Sequence, residues 1–449
     1  MGSGEWGVGM EHFWFEDAVI YHIYSLSLAQ GPFINDYVFN GSGAAEISKW
    51  IPHIKGMGFN TVLLSPVMKS RSHGYDVTDY FTIDNRIGTN DEFRSLVKNF
   101  HDNGIKVLLD CVFNHCGRDF FAFRELQQGK REYASWFKGV DFGSQSPLGD
   151  PFIYETWSGY WELVKFSLDN PETKKYLLDA ACFWIDDFGI DGMRLDAANV
   201  LDFNFMAELR GITSQKKRDF WLMGEVVGGD YTKWVNAAAL HSVTNYILYK
   251  SLYSSHNDNN LYELASCVKN SAPDKGRPLF TFLDNHDQSR IASAASRPEY
   301  LNTLYCLLFT LPGIPSVYYG SEWGIKAVKG KTSDNELRPY IDITKSGEYS
   351  TALTGLINRL IKIRQAEKAL RYGSYREIFI KFKRPFVFER SFEGERILIA
   401  VNIGSRSDTI NIGESGKIIM RDLLTGEKFN SGRSIQIKPF SARILKAGK

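Results

Sequence analysis

The sequence holds little cysteine, little proline and no excess of either charge. Its 449 residues include 5 Cys and 14 Pro. The cysteines are Cys111, Cys116, Cys182, Cys267 and Cys306. Their number is odd and none forms a C-x-x-C pair, which argues against a zinc knuckle. Unpaired thiols in a chain of this size suit a reducing compartment. Lys and Arg total 53 against 52 Asp and Glu, a net charge of +1. With no basic stripe, that balance argues against a duplex nucleic-acid partner. No stretch approaches the run of about 18 apolar residues that reads as a membrane span. The opening segment MGSGEWGVGM lacks the basic and apolar regions of a signal peptide. The expectation is a cytoplasmic protein without a membrane partner, although a leader already removed would leave the same signature.

Several chemical motifs are also missing. There is no G-x-G-x-x-G or P-loop, which weakens any nucleotide-binding reading. There is no H-E-x-x-H metal spacing and no G-x-S-x-G nucleophile elbow. Cys116 follows His115 directly, and neighbours on one strand point to opposite faces. Cys116 is therefore read as structural.

What is present is ordinary globular material, 43% hydrophobic and 23% charged. The length suggests two or three domains at about 150 residues each. Aromatic residues reach 14%, most of them needed for cores. Helical faces alternate with continuously apolar runs. Ile47, Trp50, Ile51 and Ile54 precede Thr61 to Val67. Phe93, Leu96, Val97 and Phe100 precede Ile105 to Phe113. Leu177, Ala181, Trp184 and Phe188 precede Gly192 to Ala198, and a helix near Phe203 to Ile212 precedes Phe220 to Val226. Such runs predict parallel strands buried on both faces. Ala18 to Leu28, Val243 to Tyr249, Leu279 to Leu283 and Pro315 to Tyr319 bring the count to eight. The predicted fold is α/β, a closed (β/α)8 TIM barrel over residues 1–115 and 168–371. Residues 116–167 break the rhythm and predict a small insertion domain after strand 3. Residues 372–449 carry short strands at regular spacing, FVFERSF, ERILIAVNI, DTINIG, KIIMRDL and SIQIKPFSARILK. They predict a C-terminal antiparallel β-sandwich.

Function in such a barrel lives at the C-terminal strand ends. Polar residues cluster there: Asp110, Asn114 and His115 after strand 3, Arg194 and Asp196 on strand 4, Glu225 after strand 5, and Asn285, His286 and Asp287 after strand 7. Arg194 and Asp196 are two apart and face the same way. Taken singly, each is equally well a salt bridge or a turn residue. Together Asp196, Glu225, Asp287, Arg194 and His286 put three carboxylates, an Arg and a His at one mouth. Paired carboxylates without a metal suit glycosidic-bond cleavage, one attacking the anomeric carbon while the other protonates the leaving oxygen.

These residues lie in six segments standing in order: FNTVLLSPV, DCVFNH, GMRLDAAN, WLMGEV, FLDNHDQSR and GIPSVYYGSEWG. In them the chain resembles the α-amylase family of glycoside hydrolases, family thirteen, along essentially its whole length. The resemblance implies Asp196 as nucleophile, Glu225 as general acid and base, and Asp287 as the carboxylate that binds the distorted sugar. It implies that Arg194 keeps Asp196 ionised and that His115 and His286 bond the same sugar. Tyr75 would stack on the sugar and Asp76 contact it, from the HGYD segment, and Arg290 closes the FLDNHDQSR segment as a further substrate contact. Retention of configuration would follow, with the two carboxyls about 5 to 5.5 Å apart.

LVKFSLDNPE, with Lys165, resembles the neopullulanase and cyclomaltodextrinase segment. Those enzymes usually carry an N-terminal β-domain, for which this chain has no room. The resemblance implies an oligosaccharide substrate and no required cofactor. A calcium ion would use Asn114 and the Val200 carbonyl, and no other metal site is expected. Of Trp136, Trp157, Tyr160 and Trp161 in the insertion, at least half are expected in its core and one or two at the cleft. An α-1,6-glucosidase, a glucosyl transferase and an inactive sugar-binding homologue stand as alternatives. Linkage, chain length and oligomeric state stay open.

Overall fold

The computed structural model describes residues 12–270, 278–331, 333–411, 419–430 and 434–447. Eight parallel strands form one sheet: β1 (Ile20–Ile23), β2 (Thr61–Leu64), β3 (Lys106–Cys111), β4 (Gly192–Leu195), β5 (Trp221–Gly224), β6 (Ser242–Val243), β7 (Phe280–Phe282) and β8 (Ile314–Tyr318). Their order is β6-β5-β4-β3-β2-β1-β8-β7. A parallel bridge between Thr244 and Phe280 joins the two outer strands. The Asn245 amide adds a 2.8 Å bond to the Phe280 carbonyl. The sheet is therefore closed, as a TIM barrel requires.

The strands are short and nearly all buried, because helices cover the outside and side chains fill the inside. Ile20, Leu63, Leu108, Trp221, Met223, Phe280, Phe282 and Ile314 pack the interior. Helix α1 (Asn90–Asp102) shows how the local sequence sets an element. Thr89 and Glu92 form a capping box at its start, and Phe93, Leu96, Val97 and Phe100 are its buried stripe. Helix α2 (Pro171–Phe183) starts on the Asn170 cap with Pro171 in its first turn. It runs on as a wider turn to Phe188 and stops at Gly189, whose φ of 73° suits glycine.

Two strand expectations need correction. The run Val243 to Tyr249 is strand only at Ser242–Val243. Asn245 then accepts a bond from the Leu248 amide and opens helix α3 (Tyr246–Asn257). Ala18 to Leu28 likewise divides into β1 and a short helix, Ser25–Ala29. A short apolar run does not distinguish strand from buried helix. A hairpin of Met68–Ser70 with Val77–Ile83 follows β2; it carries the HGYD turn and was not anticipated.

After β3 the chain forms a small antiparallel sheet from His115–Gly117, Thr156–Trp157 and Tyr160–Lys165. Beyond the barrel, six strands form an antiparallel sheet and two more form a second. Val387, Ala400, Ile410, Ile435, Ile437 and Leu445 pack between them. Residues 412–418, where DTINIG ends and KIIMRDL begins, lie outside the described residues. Buried Arg390 fastens this region to the barrel, and buried Arg364 ties the last long barrel helix to its neighbours. Arg390 donates to the Thr310 and Gly373 carbonyls, and Arg364 donates to those of Phe309, Leu370 and Gly313. Among the described residues no helix is long and apolar enough to cross a membrane.

Candidate active site

The strand ends converge on one guanidinium. Arg194, on β4, is 4% exposed. Its Nη1 lies 2.6 Å from Asp110 and 3.1 Å from Asp196, and its Nη2 lies 2.7 Å from Glu225. Asp110 comes from β3, Asp196 follows β4 and Glu225 follows β5. Three barrel strands therefore hold three acids around one cation. The Asp196 amide bonds the Cys111 carbonyl and the Glu225 amide bonds the Leu195 carbonyl, continuing the ladder past the strand ends. Ala197, at φ 48°, turns the chain so that its amide donates to Glu225 at 3.2 Å. The Tyr246 hydroxyl donates to the same carboxylate at 3.1 Å and accepts from the Asn285 amide.

A second group forms beside the first. Tyr75 donates to Asp110 at 2.9 Å, and its hydroxyl lies 2.5 Å from His286 Nε2. The Tyr75 and His286 rings are stacked, 5.4 Å apart and 10° from parallel. His286 Nε2 also lies 3.1 Å from Asp287, and Arg338 Nη2 lies 2.9 Å from the other Asp287 oxygen. Arg338 further bonds the His286 carbonyl and the Tyr24 hydroxyl.

The carboxylates are held at different protonation levels by these surroundings. Burial pushes Asp196 well above the ordinary range, and Arg194 opposes it without prevailing. Glu225, Asp110 and Asp287 add to the upward push. The resemblance implies that Arg194 keeps Asp196 ionised; Arg194 does lower the Asp196 pKa, but burial and the neighbouring acids outweigh it. One guanidinium serves three carboxylates, and Asp196 has the longest of the three contacts. Asp110 is also raised by burial. Asp287 goes the other way: burial raises it, but His286 and Arg338 hold it far below the usual value. His115 is kept neutral by burial, with its pKa lowered to about 3.

The remaining candidates divide. His115 is buried in the site, its Nδ1 3.2 Å from the Asn114 amide nitrogen. Asp76 is buried and accepts from the Ser72 amide and hydroxyl, so in this arrangement it shapes the turn that presents Tyr75. Lys165 pairs with His115 through the backbone, but its ammonium is 3.4 Å from Glu155 and not on a site carboxylate. Arg290 does not reach the cleft. It is fully buried, donates to the Tyr319 and Leu337 carbonyls, and stacks on Tyr318 at 4.0 Å. Its assignment as a substrate contact is therefore corrected to a support of the loops after β7 and β8.

The Asn114 amide nitrogen faces His115. No group of three or more His, Cys, Asp or Glu among the described residues is placed to hold a metal. No step below uses a metal ion. Cys116 is buried, with its thiol pushed well up by burial, as a structural cysteine. None of the five cysteines forms a disulfide.

Arg338 and Tyr246 went unanticipated. Arg338 lies in an irregular stretch after β8 with no periodicity to mark it. Tyr246 fell inside the run misread as strand. Asp110 was seen as a strand end but given no role.

Comparison with known proteins gives a consistent picture. The α-amylase catalytic-domain profile matches residues 40–352. A cyclomaltodextrinase of Thermoanaerobacter pseudethanolicus is 31% identical over 96% of this chain and 78% of its own length. Neopullulanase 2 of Thermoactinomyces vulgaris is 30% identical over 97% of this chain and 78% of its own. The crystal structure of an α-amylase from Geobacillus thermoleovorans, complexed with acarbose, is 26% identical. It superposes with a TM-score of 0.82 over 98% of this chain and all of its own.

Proposed function

The chain belongs to the α-amylase family of glycoside hydrolases, and from that premise we propose that it cleaves α-1,4-glucosidic bonds of maltooligosaccharides, cyclodextrins or starch fragments with retention of configuration. That it is an α-glucan hydrolase follows from its relatives; the bond and the mechanism are our reading. The observation that carries this reading is the sharing of Arg194 by Asp196 and Glu225. A common guanidinium brings the two acids together, as a double displacement requires.

In the first step an Asp196 oxygen attacks the anomeric carbon from below. The bond to the glycosidic oxygen breaks, and Glu225 gives that oxygen its proton. In the second step Glu225 takes a proton from water, whose oxygen attacks the same carbon and frees Asp196. The pair must therefore bring one proton to the reaction, carried on Glu225. Burial pushes Asp196 well above its ordinary range. Tyr246 and the Ala197 amide fix the Glu225 carboxyl in place. Asp287 stays ionised under His286 and Arg338 and accepts from sugar hydroxyls as positive charge develops at the ring.

The test is a product profile on maltotriose, β-cyclodextrin, pullulan, isomaltose and soluble starch, with the anomer released followed by NMR. Release of the α-anomer from α-1,4 substrates is expected. Release of the β-anomer would contradict the double displacement, and preference for isomaltose would move the linkage to α-1,6.

A further inference from the structure

The insertion's small sheet carries more than His115. Its first strand pairs with Tyr160–Lys165 through His115 to Lys165 and Cys116 to Val164. That second strand meets the third through a tight turn at Ser158 and Gly159, both at positive φ, and Trp157 stands opposite Tyr160. The Trp157 ring lies 5.7 Å from the His115 ring. Tyr160 stacks on Trp157 at 5.9 Å with planes 20° apart. Three rings thus step outward from the site. His115 is 1% exposed at the inner end and Tyr160 is 59% exposed at the outer end.

Two further observations point to a ligand on this path. His115 Nε2 is buried and meets no side-chain partner among the described residues. A buried polar atom left without a partner costs stability unless something binds there. The other insertion tryptophans are used differently. Trp136 is buried among Phe120, Phe121, Tyr133 and Tyr176. Trp161 packs edge-on against Tyr154. Those two make the insertion's core. Trp157 and Tyr160 sit at the tip of its hairpin, on the sheet that fixes His115.

We propose that Trp157 and Tyr160 form a stacking platform for a glucosyl unit of the α-glucan beyond the one that His115 contacts. The inference rests on the glucan-hydrolase reading above and extends it to substrate length. A pyranose presents a face of C–H bonds, and a ring face covers that apolar patch while leaving the hydroxyls in water. The hairpin holds both rings in place before the ligand arrives, so little order is lost on binding. Affinity then grows with each glucosyl unit that reaches the platform, and longer or cyclic glucans gain over the shortest ones.

The experiment uses the full chain carrying Asp196→Asn, so that ligand is bound and not cleaved. Maltose, maltohexaose and β-cyclodextrin are titrated by calorimetry, alone and with Tyr160→Ala or Tyr160→Phe added. With Tyr160→Ala, Kd for maltohexaose should weaken about tenfold, the size of one ring contact. Tyr160→Phe should stay within about twofold, because it keeps the ring. Unchanged binding with Tyr160→Ala would overturn the platform while leaving the hydrolase reading intact. Equal loss in both variants would overturn it too, since the hydroxyl and not the ring would then matter. No binding of any α-glucan by the Asp196→Asn parent would overturn the hydrolase reading and the platform together.

Discussion

The two ends of the barrel solve opposite electrostatic problems. At the C-terminal mouth, one arginine faces Asp110, Asp196 and Glu225. At the N-terminal end, one carboxylate faces several donors. Asp191, just before β4, lies 2.8 Å from His101, 3.0 Å from Lys106 and 2.6 Å from Lys217, and accepts from the Val107 amide. Burial alone would raise Asp191, but the bonds from His101 and Lys217 hold it far below the ordinary value. Burial raises Asp196, and nothing at the mouth reverses it. The bottom is arranged so that its charge is fully satisfied. The top is arranged so that its charge is not, which leaves a proton and an acceptor available for chemistry.

That contrast can be broken from either end. The largest effect is expected from Asp196→Asn, which should lower kcat/KM at least about ten-thousandfold on an activated α-glucoside. Substantial residual turnover would remove Asp196 from the nucleophile's role. The same variant tests the electrostatics. A carboxyl raised in the folded state loses stability on ionising, so its cost grows as pH rises above the unfolded value of about 4. Asp196→Asn should therefore melt higher than the parent at pH 7, by about 1–2 kcal/mol of stability. The gain should vanish in acid below about pH 4.

Glu225→Gln should cost about a hundredfold to ten-thousandfold in kcat, less on substrates whose leaving group needs no proton. Equal losses on starch fragments and on an activated aryl glucoside would argue against the acid role. A smaller effect is expected from Arg338→Met, which removes the guanidinium beside Asp287. The hold of Asp287 on sugar hydroxyls should weaken, so kcat/KM should fall about tenfold with the acid limb unmoved. Unchanged kcat/KM would mean that Arg338 does not set how Asp287 binds the sugar.

The smallest effect on rate belongs to the opposite end. Asp191→Asn should leave kcat unchanged and lower stability at pH 7 by about 3 kcal/mol, because two lysines and a histidine lose their shared partner. The sign with pH is the reverse of that at the mouth. A depressed carboxyl contributes stability above its unfolded value of about 4 and loses it as pH falls through the folded value. Parent and variant melting points should therefore converge in strong acid. Lost activity in a folded Asp191→Asn would show that the two ends are coupled.

The strands were legible because buried parallel strands are continuously apolar, and helix stops such as Gly104 and Gly189 mark their approach. Asp196, Glu225 and Asp287 stood out only together, as acids at the ends of apolar strands facing one mouth; singly each reads equally well as a salt bridge or a turn residue. Arg290 was misplaced because a motif reports proximity along the chain and not which way a side chain turns. Arg338 was invisible because it meets Asp287 from an irregular loop after a different strand. Trp157 and Trp136 looked alike in sequence, and only ring contacts separated cleft from core.

The sequence by itself determined the alternation of helix and buried strand, the insertion after strand 3 and the residue types at the strand ends. Those are local properties, set by periodicity, capping and the cost of burying charge. The tertiary structure alone decided how many carboxylates share Arg194, which way Arg290 points and which insertion rings reach the mouth. Each of these depends on side chains tens to hundreds of residues apart meeting inside a closed barrel, where burial and neighbouring charge, not residue identity, fix protonation.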